Sequence, residues 1–142
     1  MSVYIPVDLQ RRVRARFSNR CAYCQTPENL SVAIFEFEHI TPRSTGGKTE
    51  FENLCTSCPT CNRYKADSTT ASDPGTHEDV ALFHPHQQEW SDHFNWSDDT
   101  TTIIGLTPVG RATIAALRMN RAQMIRLRRM WHAMGEHPPN VE

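Results

Sequence analysis

Four of the five cysteines stand in two pairs, Cys21-x2-Cys24 and Cys58-x2-Cys61. A CxxC turn is a tight knuckle that aims two sulfurs at one point. Two knuckles complete a tetrahedral shell of thiolates, the donor set of structural zinc. Four thiolates leave no open position, so such an ion would staple the chain rather than do chemistry. Its binding would contribute on the order of 10 kcal/mol to folding. The alternative is four buried thiols with coincidental spacing. Cys55 also stands in CxxC relation to Cys58; it is either a competing ligand or, more simply, a small apolar residue. The 33 residues between the knuckles exceed the usual zinc-ribbon spacing and leave room for a second site.

Within that interval Glu38 and His39 are adjacent, ahead of Ile40-Thr41-Pro42-Arg43-Ser44-Thr45-Gly46-Gly47, and Asn62 directly follows Cys61. Neighbours on a strand point to opposite faces. Glu38 and His39 therefore serve one atom only where the strand ends or bulges, and Pro42 with the turn after it makes such an ending plausible. Glu38 would supply one hard oxygen and the Asn62 amide a second, brought close by the adjoining knuckle. Oxygen donors with vacancies suit Mg²⁺ or Mn²⁺. An imidazole beside such an ion suits activation of water, since its ordinary pKa is about 6.5, and the ion stabilises a departing alkoxide. These parts suffice for phosphodiester hydrolysis. Taken without its surroundings, the same pair reads as a salt-linked surface pair.

The surroundings carry a resemblance. Cys21 and Cys24, then Glu38-His39-Ile40-Thr41-Pro42-Arg43-Ser44-Thr45-Gly46-Gly47, Asn53-Leu54, and Cys58-Pro59-Thr60-Cys61-Asn62-Arg63-Tyr64-Lys65 closely resemble the HNH endonuclease family in its four-cysteine zinc branch. The resemblance covers residues 21–67, about a third of the chain. It implies a ββα-metal fold of two antiparallel strands and a helix around one catalytic divalent cation. It implies His39 as the general base, Glu38 and Asn62 as ligands of a catalytic Mg²⁺ or Mn²⁺, and Asn53 as the residue that braces the loop and orients the imidazole. Arg43, Arg63 and Lys65 would meet the phosphates of DNA. Two positions depart from the commoner pattern: Glu38 stands where Asp is usual, and Asn62 where His is usual. From Leu82 onward the chain also resembles a C-terminal extension of some small bacterial proteins of this family, which assigns it no role.

The elements that must position these residues are legible in outline. Pro6 to Phe17 has a helix start and places Val7, Leu9, Val13 and Phe17 largely on one side, within an N-terminal helical segment, 1–20. Residues 31–40 alternate as a strand does, 48–54 return toward it, and 62–67 suit a short helix. Residues 68–88 read mainly as a loop. Residues 89–95 and 101–106 read as a hairpin about Ser97-Asp98-Asp99-Thr100. Thr107-Pro108 is a helix entry, and helical periodicity follows over 109–134. Asn120 is a candidate to split that helix by capping a second one, Met119, Met124, Met130 and Met134 fall in its core pattern, and residues 137–139 form a tail. The expected fold is α+β: a zinc-stapled ββα-metal core with an N-terminal helix and a C-terminal hairpin plus helices.

Composition bounds the rest. A chain of 142 residues with 38% hydrophobic and 22% charged residues suits one globular domain, 1–142. No stretch approaches the ~20 apolar residues of a membrane span. The Arg-rich N-terminus argues against a secretory leader, and the odd cysteine count predicts a reducing, cytoplasmic setting. Net charge is −1, yet it is unevenly spread: residues 73–110 hold seven acids and no Lys or Arg, while 111–142 hold six Arg and two acids. Arg118, Arg121, Arg126, Arg128 and Arg129 form either a phosphate-binding ridge or a solvated helix face. His84 and His86 make a His-x-His fragment without nearby acids, read as loop packing. Trp90, Phe94 and Trp96 are read as hairpin packing. The function expected is a metal-dependent endonuclease that hydrolyses DNA, by nicking or by double-strand cleavage. Its competitors are a non-catalytic zinc-stapled nucleic-acid-binding module and a purely structural zinc domain.

Overall fold

The computed structural model describes residues 3–139. They form two compact units: residues 3–69 with His84–Gln87, and residues 70–83 with 88–139. Length alone suggests one domain; each unit has its own buried cluster.

In the first unit, α1 (Val7–Arg16) begins at Pro6, whose ring suits a helix start, and ends where Ser18 and Asn19 take left-handed backbone. Of its expected apolar face only Val13 is fully buried, while Val7 is exposed. β1 (Glu36–His39) and β2 (Leu54–Ser57) pair antiparallel, with Glu38 opposite Cys55 and His39 opposite Leu54. The strand expected over 31–40 is shortened to four residues, 36–39, since Glu28 draws the Phe35 amide onto its carboxylate and 31–35 stay irregular. α2 (Pro59–Lys65) follows β2 directly, starting at Cys58 with Pro at its first position. It is earlier by three residues than the expected 62–67, because the Cys58 sulfur caps it by accepting from the Cys61 amide. Tyr23, Phe35, Ile40 and Leu54 complete the core with Val13, each contributing roughly 1.5–3 kcal/mol by burial. Residues 84–87 also pack here: the His86 ring lies edge-on to Phe17 and Phe51 and its Nε2 is 2.7 Å from the Leu54 carbonyl.

The second unit corrects several expectations. The segment read as a loop holds a short hairpin, β3 (Thr70–Ser72) and β4 (Asp79–Ala81). Asp73 nucleates its turn by accepting from the Gly75 amide and the Thr76 hydroxyl. Residues 89–95 are not one strand: α3 (Trp90–His93) precedes β5 (Phe94–Trp96), which pairs with β6 (Ile103–Gly105). α4 (Pro108–Leu117) is capped by Thr107 and stops at Arg118 in left-handed backbone; α5 (Ala122–Ala133) follows. Asn120 does not cap α5. Its amide group closes two hydrogen bonds of 2.8 Å with the backbone of Ile103. Met119 and Met124 are core, but Met130 and Met134 are exposed, because α5 buries Met124, Arg128 and Trp131 instead. Arg128 is therefore no part of a phosphate ridge; it donates to the carbonyls of Thr101 and Met119. His137, expected in a tail, is buried beside Trp96 and donates from Nε2 to the Thr100 backbone carbonyl, 2.7 Å away. Because an acyl oxygen can only accept, the Nε2 carries the proton.

Candidate active site and metal centre

The sulfurs of Cys21, Cys24, Cys58 and Cys61 lie within 4.8 Å of one another, all buried. The first knuckle is closed by hydrogen bonds from the Gln25 amide to the Cys21 carbonyl and from the Cys21 amide to the Thr26 carbonyl, both 2.9 Å. It hangs on β2 through Ala22 and through the Thr56 hydroxyl, which donates to the Arg20 carbonyl. The second knuckle is the first turn of α2. Burial pushes the Cys21 thiol up, whereas hydrogen bonds from Cys21, Cys58 and Cys61 hold Cys24 well below the ordinary thiol range. Four clustered thiols of this kind fit zinc. Cys55 stays outside the cluster and donates to Glu38 Oε2 at 3.4 Å. Among the described residues no other His, Cys, Asp or Glu group of three is arranged for one ion; His84 Nδ1 instead accepts from the amides of His86 and Gln87.

A cavity of ≈ 260 Å³ lies where β1 ends against α2, walled by Phe37, Glu38, His39, Pro42, Arg43, Ser44, Asn62, Ala66 and Asp67. His39 and Asn62 thus face one space. The His39 ring is partly exposed, and its Nε2 is 2.8 Å from Thr49 Oγ1. Burial, then the nearby Arg43 charge, holds its pKa below the usual value. Asn53 is buried and ties the intervening loop shut. Its Nδ2 donates to the carbonyls of Thr41 and Lys48 at 3.0 and 2.9 Å, and its Oδ1 accepts from the Thr41 amide at 2.8 Å. Gly47 must be glycine here, because a Cβ would fall 1.8 Å from the Thr41 carbonyl oxygen and 2.9 Å from Asn53 Nδ2.

Two expected roles change. Lys65 does not face solvent or phosphate: it is 2% exposed, and its ammonium sits 2.8 Å from Glu38 Oε1 while donating to the Ile40 carbonyl at 3.0 Å. Glu38 forms part of the cavity wall, but its carboxylate turns to Lys65 and not to Asn62. The reason is regular pairing. β1 stays in register with β2 through His39, so Glu38 and His39 keep the opposite directions that strand alternation imposes. Burial raises the Glu38 pKa, against the lowering effect of Lys65. The carboxylate that meets the Asn62 amide is that of Glu36, which accepts from Asn62 Nδ2. Arg43 and Arg63 are exposed, Arg43 on the cavity wall. The motifs in the sequence do not point to Glu36 or Thr49. Glu36 carried a signal, standing two residues before Glu38 and hence on the same strand face; Thr49 carried none.

Residues 21–68 match the family model of the HNH endonuclease. The mixed α+β fold, with four cysteines positioned to bind a metal, is consistent with an HNH-type core in this segment. No curated protein and no solved structure matches the chain. The cavity wall carries oxygen-bearing side chains, Asn62 and Asp67 among them, the donor type that a hard divalent cation takes.

Proposed function

We propose that the first unit is a metal-dependent endonuclease that hydrolyses phosphodiester bonds in DNA. The observation that carries this reading is the shared cavity of His39 and Asn62 beside the cysteine cluster. His39 takes a proton from the attacking water. Thr49 Oγ1 lies 2.8 Å from His39 Nε2; in the tautomer whose Nε2–H donates to that hydroxyl, the lone pair falls on Nδ1. The depressed imidazole pKa keeps that lone pair free at neutral pH. Asn53 holds the loop that carries Thr49 against the strand that carries His39. Arg43 and Arg63 provide guanidinium groups for the DNA backbone, with Arg43 at the cavity itself. The Asn62 amide and a β1 carboxylate would hold the cation, which supplies stabilisation of the departing 3′ oxygen when bound.

One observation favours a second reading, a non-catalytic zinc-stapled nucleic-acid-binding module: Glu38 is committed to Lys65. A plasmid assay separates the two. Zinc-loaded protein incubated with supercoiled DNA and Mg²⁺ or Mn²⁺ should give nicked or linear product with 5′ phosphate ends, and His39→Ala should lose it by at least ~100-fold. Intact plasmid across pH 6–9 in both metals would eliminate the endonuclease reading, and retained binding of the DNA would then support the module.

A further inference from the structure

Residues 100–135 hold six arginines and no acid. Two of the six are committed to the fold of the second unit: Arg111 pairs with buried Asp73, and Arg128 donates to backbone carbonyls. The other four, Arg118, Arg121, Arg126 and Arg129, stand on α5 and on the turn that leads into it.

The helix period sorts them. α5 buries Met124, Arg128 and Trp131, spaced i, i+4, i+7 along one side. The side turned away carries Ala122, Arg126, Arg129 and Ala133, spaced i, i+4, i+7, i+11, and all four are exposed. Arg126 and Arg129 thus stand one turn apart, roughly 4.5 Å along the axis, between two alanines too short to keep a partner away. Among the described residues no carboxylate forms an ion pair with Arg121, Arg126 or Arg129. Arg121 donates to the Arg118 carbonyl at 3.1 Å, closing the turn ahead of α5. Asp99 feels the Arg129 charge, but its carboxylate is spent on its own turn. There it accepts from the Ser97 hydroxyl and from the Thr101 hydroxyl and amide, at 2.7, 2.8 and 3.1 Å.

Solvated surfaces ordinarily intersperse the two signs of charge. Here they are segregated: residues 73–99 supply seven acids and no Lys or Arg, while every Lys or Arg of the second unit falls within 111–129. A face of one sign with no partner of its own draws the opposite sign from outside. The guanidinium fork matches phosphate oxygens, and a straight row of guanidiniums matches a rod that carries one phosphate charge per about 1.7 Å. Contacts of this kind position a duplex without reading its bases.

Resting on the reading of DNA as the substrate, we propose that the outward face of α5, with Arg126 and Arg129 at its centre and Arg118 and Arg121 at its start, is a second DNA contact that holds the phosphate backbone without regard to sequence.

The test is fluorescence anisotropy of a labelled DNA duplex with full-length, zinc-loaded protein, titrated with salt in the absence of Mg²⁺ and Mn²⁺. Arg126→Gln/Arg129→Gln should weaken binding about tenfold or more at about 0.1 M salt, and should lower the slope of log K against log salt by about 2. Arg126→Lys/Arg129→Lys should keep most of that slope, because lysine retains the charge. Met130→Gln/Met134→Gln, which changes the exposed apolar residues of the same helix, should leave DNA affinity within about twofold of wild type. The urea midpoint by tryptophan fluorescence reports whether the second unit stays folded; where the double variant lowers it, the single variants decide, each with a slope loss of about 0.9. A slope in the folded arginine variants within about 0.3 of wild type overturns the proposal. So does a double arginine variant that keeps its DNA affinity while losing self-association in sedimentation, or binding to phosphatidylserine vesicles, since the face then belongs to a second copy or to a lipid surface. Plasmid left intact by a wild type whose duplex binding still depends on Arg126 and Arg129 sinks the endonuclease reading and leaves the α5 contact standing; cleavage by a wild type whose binding ignores both arginines does the reverse.

Discussion

Replacing Asn53 with alanine removes three hydrogen bonds at once from the loop between His39 and Asn53. The amide bonds both the N–H and the carbonyl of Thr41 and reaches the Lys48 carbonyl, all at 2.8–3.0 Å. A neutral hydrogen bond contributes about 0.5–1.5 kcal/mol net. Thr41 and Lys48 are exposed, so water can take over part of the lost bonding, and the loss comes to about 2–3 kcal/mol. This is a factor of roughly 30–150 in the opening equilibrium. The assay must look at the loop itself, because all three tryptophans (90, 96 and 131) lie in the second unit. Hydrogen exchange of the Thr41 amide, which donates to the Asn53 side chain, should accelerate by that factor in zinc-saturated protein. Asn53→Asp should be worse near neutral pH, since it sets an anionic oxygen against two carbonyls, and should recover in part as the carboxyl protonates. A Thr41 amide in Asn53→Ala that exchanges within threefold of wild type would refute the brace.

Three further outcomes follow from the geometry. Cys58→Ser should abolish stoichiometric zinc and collapse the amide dispersion of residues 20–65, because Cys58 is both a member of the sulfur cluster and the cap of α2; full zinc content would contradict the assigned ligands. Asp73 lies buried in a two-pronged pair with Arg111 at 2.9 Å, which holds its carboxyl below the usual range. A depressed carboxyl stabilises above its unfolded pKa of about 3.9 and loses that contribution as pH falls through its folded value. The urea midpoint followed by tryptophan fluorescence should therefore drop below about pH 4, and Arg111→Met should both lower it at neutral pH and flatten the acid dependence. If His39 is the base, kcat/KM should rise with pH through a midpoint below 6.5, Arg43→Ala should move that midpoint upward, and Thr49→Val should cut kcat. An unchanged profile in both variants would remove His39 from that role.

Much of this protein was readable along the chain because its information is local. A CxxC knuckle is set by four residues, so Cys21, Cys24, Cys58 and Cys61 announce a metal-binding cluster without any knowledge of how the rest folds. The Thr107-Pro108 helix entry and the Gly46-Gly47 turn are local in the same sense. The sequence also carried the alternation that separates Glu38 from His39. It could not say whether the strand stays regular to its end, and it could not say which strand face the helix covers. Those depend on pairing with β2, residues 15 or more positions away.

The tertiary structure alone decided the fate of the long polar side chains. Lys65, Arg128, Glu38 and His137 read as solvent-facing by type, since charged and polar groups seldom enter a core unless paired. Each is buried because folding brings it a specific partner: a carboxylate, backbone carbonyls, or an aromatic ring. Partners of that kind come from distant parts of the chain, so residue type along the sequence names the chemistry available, and packing determines which of those groups is spent on a structural partner.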